Sequence, residues 1–116
     1  MISNELLKGT LKTIILYLLT ENDRMYGYEI TQEVDRLSEG KIQLTWGAIY
    51  PTLHKLESEG LVSAEEYSIG KRVRKYYRLT PSGNEASDFK VKEFAEFVRI
   101  MGQIIKPSPD LNLNYG

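Results

Sequence analysis

Apolar residues recur at helical spacing in the first segment of the chain. Between Leu6 and Leu19, the apolar positions that share one face of a helix are Leu7, Leu11, Ile14, Ile15 and Leu18. A second face of the same helix carries Leu6, Thr10, Thr13 and Tyr17. We predict that the first face packs in the core. The second mixes apolar and hydroxyl side chains and is expected to contact another surface.

A turn, a second helix and a short strand are predicted next. The polar run from Glu21 to Arg24 predicts a turn and a short connection. A second helix, ending at Gly40, is indicated by an apolar stripe at Ile30, Val34 and Leu37. Beyond it, Ile42 and Leu44 alternate with polar neighbours, a pattern that favours a short strand.

A third helix is predicted from Thr45, a suitable N-cap, toward Glu59, with Gly60 as its C-terminal stop. Its inward positions are Ile49, Leu53 and Leu56. Pro51 removes a backbone donor and crowds the preceding turn. Either the first turn is therefore bent, or the regular helix begins near Tyr50.

A hairpin and a long helix complete the predicted elements. Leu61 to Tyr67 and Arg74 to Leu79 indicate two strands around a turn at Ser68-Ile69-Gly70-Lys71. Thr80 as N-cap and Pro81 at the first helical position open a last helix to Ile105, about 37 Å long. One stripe of this helix carries Phe94, Phe97, Val98, Met101, Ile104 and Ile105. Residues 107–116 are expected to form a mobile polar tail.

Composition narrows the chemistry that the chain can perform. The 116 residues fit one domain, and they include no cysteine and one histidine, His54. This composition excludes disulfides, thiol nucleophiles and His-rich metal sites. We therefore expect no cofactor, no metal and no enzymatic activity. The first apolar segment is interrupted by Lys8, Lys12 and Thr13, unlike a signal peptide or a membrane span. A cytoplasmic protein is expected.

Charge is distributed unevenly, although the formal net charge is only −1. Five basic residues and no acidic residue lie between Lys71 and Arg78, which leaves ten basic residues against all 16 acidic ones elsewhere. This concentration in the predicted hairpin is typical of a local phosphate contact. A solubilising turn is the simpler alternative.

Three helices followed by a hairpin are typical of a winged helix-turn-helix domain, in which the third helix enters the major groove of DNA and the hairpin contacts the backbone. The fold class is therefore mainly α with a small β-hairpin. We assign residues 1–80 to this DNA-binding domain and residues 81–106 to a C-terminal dimerisation helix.

The predicted contacts to double-stranded DNA come from the exposed flank of the third helix and from the hairpin. The helix and its N-cap supply Thr45, Trp46, Gly47, Tyr50, Pro51, Thr52, His54 and Lys55, and the hairpin supplies Lys71, Arg72, Arg74 and Lys75. For Trp46, a position at the edge of the core and a DNA-facing position both fit the pattern. For the helix flank as a whole, an ordinary solvated face is the alternative.

A homodimer is predicted because the apolar stripe of the last helix is more than one small domain covers. The interface residues are Phe94, Phe97, Val98, Met101, Ile104 and Ile105. A dimer would present two copies of the third helix, the recognition helix, and these would match the two halves of a palindromic operator. Across the two-fold axis, this stripe is expected to meet the second face of the partner's first helix. A pocket for a small hydrophobic effector is predicted there, lined by Leu6, Thr10, Thr13, Tyr17, Phe94 and Phe97.

Three motifs resemble the PadR family of bacterial transcriptional regulators. They are Tyr26-Gly27-Tyr28-Glu29-Ile30, then Gly47-Ala48-Ile49-Tyr50-Pro51-Thr52-Leu53 with Leu56-Glu57 and Gly60-Leu61-Val62, then Arg74-Lys75-Tyr76-Tyr77-Arg78-Leu79-Thr80 with Gly83. They occur in the family's order. The resemblance implies a dimeric winged-helix repressor of the smaller subfamily, which has a single C-terminal helix.

The chain departs from the family pattern at two places. Many members carry a glycine and a proline shortly before the Lys-Tyr-Tyr run, where this chain has Lys71 and Val73. Some small members stack planar hydrophobic compounds on a tryptophan between the last helices, whereas this chain offers Phe94 and Phe97 there.

Two other functions compete with sequence-specific DNA binding. A winged-helix module without sequence-specific DNA binding would use the basic hairpin to contact an acidic protein. An enzyme is disfavoured because the adjacent carboxylates beside the hairpin, Glu65 and Glu66, would point to opposite faces of a strand.

Overall fold

A computed structural model describes residues 2–106, so the predicted mobile tail lies outside the described residues. The chain is mainly helical with a small antiparallel sheet, which confirms the predicted fold class. In chain order, the elements are α1 (Asn4–Lys8), α2 (Leu11–Glu21), β1 (Met25–Tyr26), α3 (Gly27–Leu37), α4 (Trp46–Ser58), β2 (Val62–Ile69), β3 (Arg72–Leu79) and α5 (Pro81–Ile104). Within residues 2–106, none of these helices combines the length and apolar character needed to cross a bilayer.

The single helix predicted from Leu6 to Leu19 is in fact two helices, α1 and α2. The break falls at Gly9 and Thr10, where the Thr10 hydroxyl donates to the Leu7 carbonyl over 3.0 Å. Glycine is a poor helix former, and a threonine side chain that bonds to a carbonyl of the preceding turn competes with the helical pattern. Leu6 therefore lies on α1, whereas Thr13 and Tyr17 lie on α2.

The sheet has the strand order β1-β3-β2. Strand β1 lies just after the segment predicted as a turn, and its Met25 and Tyr26 pair with Tyr77 and Tyr76 of β3. The strand predicted around Ile42 and Leu44 does not form. Its apolar side chains, Ile42 and Leu44, instead pack partly buried against the core, and β1 pairs with the edge of β3 that β2 leaves free.

The core is built where α2, α3, α4 and the sheet meet. Its most completely buried side chains are Ile15, Leu16, Ile30, Ile49, Leu53 and Leu56. Each contributes roughly 1.5–3 kcal/mol to stability by leaving water. The predicted inward faces of α2 and α4 are thus largely correct, although Ile14 is only partly buried and Leu16 was not among the predicted positions. Leu37, predicted on the apolar stripe of α3, is 58% exposed.

Helix α4 begins at Trp46 and continues through Pro51, so the alternative in which it begins near Tyr50 is wrong. Thr45 is its N-cap, as predicted, and the hydroxyl accepts from the Ala48 amide over 3.3 Å. The chain leaves the helix through Gly60, whose φ of +76° is accessible to glycine at little cost.

Helix α5 has an anchored half and an exposed half. Thr80 caps it, and the buried Gly83 lies so close to Leu61 that an added Cβ would be 1.9 Å from the Leu61 carbonyl oxygen. One turn further, the hydroxyls of Ser87 and Thr20 are hydrogen-bonded over 2.9 Å, which ties α5 to α2. From residue 92 to residue 99 every position is exposed. The helix ends at Ile104, so Ile105 lies just beyond it in an extended conformation.

Candidate nucleic-acid interface

The outward face of α4 carries most of the predicted DNA-contacting side chains. The exposed ones are Thr45, Trp46, Gly47, Tyr50, Pro51, His54 and Lys55. Thr52 differs, because it is partly buried and its hydroxyl donates to the Ala48 carbonyl over 3.1 Å. It lies on the flank of the helix that faces α1, in a cleft shared with Lys8 and Leu11.

Trp46 lies at the edge of the core, one of the two positions considered for it, and keeps an exposed surface. One edge of its indole packs on Gly27, so closely that a Cβ at that glycine would lie 2.2 Å from the ring. The rest of the side chain faces solvent, and 55% of it is exposed. Gly27 therefore fixes the first residue of α4 against the first residue of α3, and the remaining indole surface extends the exposed face of α4.

The rings of α4 form a row along the edge that faces the hairpin. Trp46 and Tyr50 have their ring centroids 5.3 Å apart, and Tyr50 and His54 are stacked at 6.2 Å. Because these residues are spaced by four, they lie one above the other on the helix surface. The helical pattern of the sequence predicted that these side chains are exposed. The structure shows in addition that their rings form one continuous aromatic surface.

The hairpin β2–β3, which we call the wing, ends in a tight two-residue turn. Ile69 pairs with Arg72 across the turn, and Gly70 has a φ of +62° whereas Lys71 does not adopt a positive φ. This combination matches a type II′ turn, which favours glycine at its first central position. At this tip Lys71 and Arg72 are exposed, and neither makes an ion pair within residues 2–106.

The other basic side chains of the wing are engaged within the protein. Arg74 lies 4.2 Å from the ring centroid of Tyr26. The Lys75 ammonium is 3.4 Å from a carboxylate oxygen of Glu57 on α4. Burial by itself lowers the pKa of Lys75. The electrostatic interactions of its ammonium with Tyr77 and Glu57 have the opposite and larger effect, so the pKa of Lys75 is raised. These two side chains connect the wing to the helices.

Arg78, the last of the basic cluster, is also paired. Its guanidinium lies 3.7 Å from Asp23 and 3.9 Å from Glu65. The five positive charges counted in the sequence therefore differ in availability, and the exposed ones lie at the tip.

A cluster of aromatic rings and cations on the outer face of the sheet was not predicted from the sequence. Arg24 lies over both Tyr67 and Tyr76, at 4.6 and 4.4 Å from their centroids. Tyr76 makes edge-to-face contacts with Tyr67 and Tyr26, at 5.4 and 5.3 Å. Alternating tyrosines and basic residues in the sequence were the available signal, but the partner Arg24 lies in the segment predicted as a turn.

A cleft of about 610 Å³ separates α4 from the wing. Its lining includes the exposed aromatic residues Tyr28, Trp46 and Tyr50 and the basic residues Arg72, Arg74 and Lys75. None of its lining residues is acidic. Of the residues predicted to contact DNA, five border this basic and aromatic concavity: Trp46, Tyr50, Arg72, Arg74 and Lys75. Thr45, Gly47, Pro51 and Thr52 instead line the cleft on the other flank of α4.

The predicted effector residues border a second, apolar groove of about 550 Å³. All six predicted residues, Leu6, Thr10, Thr13, Tyr17, Phe94 and Phe97, contribute to its lining. The groove lies within one chain, between α1, α2, the end of α3 and the exposed half of α5, whereas the two stripes were predicted to meet across the two-fold axis. The Tyr17 hydroxyl donates to Glu21 over 2.9 Å, and this hydrogen bond together with the carboxylate charge raises the pKa of Tyr17.

Of the predicted interface residues, Phe94, Phe97, Val98, Ile104 and Ile105 are exposed and Met101 is partly buried. The rings of Phe94 and Phe97 are in contact, with centroids 6.3 Å apart. The exposed half of α5 therefore presents a large apolar surface.

The order of elements, the recognition helix and the basic hairpin define a winged helix-turn-helix protein. Residues 15–88 match the model of the Transcriptional regulator PadR-like family. The chain therefore belongs to the PadR-like family of transcriptional regulators, which confirms the resemblance found in the sequence and implies DNA-binding regulation.

Relatives and a solved structure agree with this assignment. Transcriptional regulator Rv3488 of Mycobacterium tuberculosis is 35% identical over 82 residues, which cover 71% of this chain and 73% of that protein. Uncharacterized protein X of Lysinibacillus sphaericus is 36% identical over 103 residues, 87% of this chain and 93% of its own length. The structure of a transcriptional regulator from Clostridium thermocellum superimposes with a TM-score of 0.81 at 27% identity, covering 91% of this chain and 100% of that one.

Proposed function

We propose that the protein is a dimeric repressor that binds a palindromic site in double-stranded DNA. The observation that carries this proposal is the shared cleft between α4 and the wing, which is lined by aromatic and basic residues and by no acidic ones. In this mode, α4 enters the major groove, and Lys71 and Arg72 at the wing tip contact phosphates. The N-terminal turn of α4, capped by Thr45, adds amide groups and a positive dipole end for a further phosphate.

The dimer proposal rests on the exposed half of α5. Its aromatic and aliphatic side chains would lose unfavourable contact with water on meeting a second copy. A two-fold dimer presents two copies of α4, which would read half-sites about 34 to 36 Å apart. Repression then follows if such a site overlaps the start of a gene.

The apolar groove is the proposed site for a small, planar hydrophobic effector. A volume of about 550 Å³ is within the usual range for ligand pockets, and Tyr17, Phe94 and Phe97 offer ring surfaces. Since α5 forms one wall, a ligand there would alter the dimer and the distance between recognition helices. It would release DNA only by binding the DNA-incompetent arrangement more tightly than the competent one.

Selection of bound duplexes from a random pool, followed by titration at several salt concentrations, tests the DNA-binding proposal. We expect an enriched palindrome, a tighter complex with it than with a shuffled duplex, and an affinity that falls linearly with salt on logarithmic axes. An acidic polypeptide of equal charge serves as the competitor. No enrichment, together with equal binding to that competitor, would instead favour a winged-helix module that contacts acidic proteins.

A further inference from the structure

The recognition helix carries few of the side chains that most often read purines. Helix α4 contains no arginine, asparagine or glutamine between Trp46 and Ser58. Arginine and lysine are the common readers of guanine, and asparagine and glutamine are the bidentate readers of adenine, so that of these side chains α4 exposes only Lys55. Further discrimination between base pairs by this helix must depend on other contacts.

Several of the polar groups that α4 does carry are already used within the protein. The hydroxyls of Thr52 and Ser58 donate to the carbonyls of Ala48 and Lys55, over 3.1 and 2.8 Å. Glu57 is paired with Lys75 of the wing. These groups are not directed toward an incoming base edge.

The positions of α4 that lie opposite its buried face are small or apolar, and the exposed His54 and Lys55 flank them. Gly47 and Pro51 are both exposed, and at 100° per residue they lie close to the direction opposite the buried Ile49 and Leu53. Beside them, the exposed ring of Tyr50 is stacked on His54 and makes a tilted contact with Trp46. A helix with this profile can approach the groove floor closely and presents carbon surface there.

We propose that α4 recognises thymine through its C5-methyl group, with the Tyr50 ring and the Pro51 ring as the contacting surfaces. Among the base pairs, the thymine methyl is the apolar group that the major groove offers. His54 and Lys55 remain available for hydrogen bonds beside this contact. The inference rests on the proposed DNA binding and adds that each half-site carries thymines where α4 enters the groove.

Replacing thymine by deoxyuridine in the selected duplex tests this inference with the unmodified protein, so the outcome does not depend on how a variant folds. Each half-site thymine is replaced in turn, and the dissociation constant is measured. Removal of a contacted methyl should weaken binding roughly three- to five-fold, which corresponds to one buried carbon. Deoxyuridine outside the half-sites is the control for altered duplex properties and should leave affinity unchanged.

Two variants link the effect to the proposed side chains. With Tyr50→Ala and Pro51→Ala combined, thymine and deoxyuridine duplexes should bind equally well, whereas Arg72→Ala should weaken both by the same factor and keep the preference. Equal binding of thymine and deoxyuridine duplexes by the unmodified protein would overturn methyl recognition and leave DNA binding intact. Failure to select any duplex would overturn the proposed function itself.

Discussion

The guanidinium of Arg24 lies 4.4 Å from the ring centroid of Tyr76, a contact between the residue that precedes β1 and the middle of β3. The same guanidinium also covers Tyr67 of β2. Since β1 leads directly into α3, Arg24 joins the helical part of the domain to both strands of the wing. The direction in which the wing tip points relative to α4 is therefore set partly by this one side chain.

Arg24→Ala should weaken DNA binding while leaving the fold intact. The contact is worth about 0.5–1 kcal/mol at an exposed site, which is small beside the stability of a domain. Amide hydrogen exchange should become faster in β2 and β3 but remain slow in α4, and Arg24→Lys should have a smaller effect. If exchange in the wing is unchanged, Arg24 does not hold it.

Lys71 and Arg72 should carry the phosphate contacts of the wing. Replacing both by alanine is expected to lower affinity for every duplex by a similar factor and to reduce the salt slope by roughly 0.9 for each phosphate that the variant no longer neutralises. Salt titrations of selected and shuffled duplexes measure both effects.

The matched control is Lys90→Ala with Lys92→Ala, which removes the same charge from α5. That pair should leave the salt slope unaltered. Identical slopes for the wing-tip variant and the original protein would remove the wing from the binding mechanism.

Substitutions at Gly83 and Gly27 should separate effects on the stability of the fold from effects on DNA affinity. In Gly83→Ala, the new Cβ meets the backbone of Leu61, which cannot rotate away, so α5 must shift at a cost of about 1–3 kcal/mol. In Gly27→Ala, the three atoms nearest to the Cβ all belong to the indole of Trp46, a half-exposed side chain that can swing outward. Urea unfolding should show the larger decrease in stability for Gly83→Ala.

DNA affinity should show a different pattern from stability. Gly27→Ala should weaken DNA binding more than its small decrease in stability explains, because the start of the aromatic row is displaced. Unchanged affinity in a variant whose tryptophan fluorescence has shifted would show that the position of Trp46 is unimportant for recognition.

The exposed half of α5 is expected to hold the dimer together. Replacing Phe97 and Met101 by aspartate would bury unpaired charge in the interface, and sedimentation should then show monomers with much weaker operator binding. Gln103→Asp adds a charge on the opposite side of the same helix and should leave the dimer intact. A tight dimer in the double variant would assign dimerisation to another surface and remove the basis for the effector groove.

Most of the fold followed from periodicity and capping. Helices α3, α4 and α5 and both wing strands are long enough to show their period, and Thr45, Thr80 and Gly60 mark ends that the structure confirms. Strand β1 was missed because two residues have no period to detect. The break in the first helix was missed because Gly9 and Thr10 interrupt the backbone without interrupting the apolar pattern.

The sequence indicated how many cations the wing carries but not where they point. Successive residues of a strand face opposite sides of the sheet, so Arg74 meets Tyr26 on one side while Lys75 meets Glu57 on the other. The partners of Arg74, Lys75 and Arg78 lie far away in the chain, and no local pattern identifies them. For the wing tip, the sequence indicated only that Lys71 and Arg72 lie at or beside a short turn at Gly70, where side chains are usually exposed.

The hydrogen bond between Ser87 and Thr20 lies near the beginning of α5, so any tilt of the helix at this point would be amplified toward its C-terminal end. The helix is fixed near this point, and its far end at Ile104 lies about 26 Å further along the axis at 1.5 Å per residue. A rotation of about 5° at this pivot would move the tip by about 2 Å, a displacement comparable to the helix shifts of allosteric interfaces. A small rearrangement of the contact between Ser87 and Thr20 would therefore produce a larger displacement at the far end of α5.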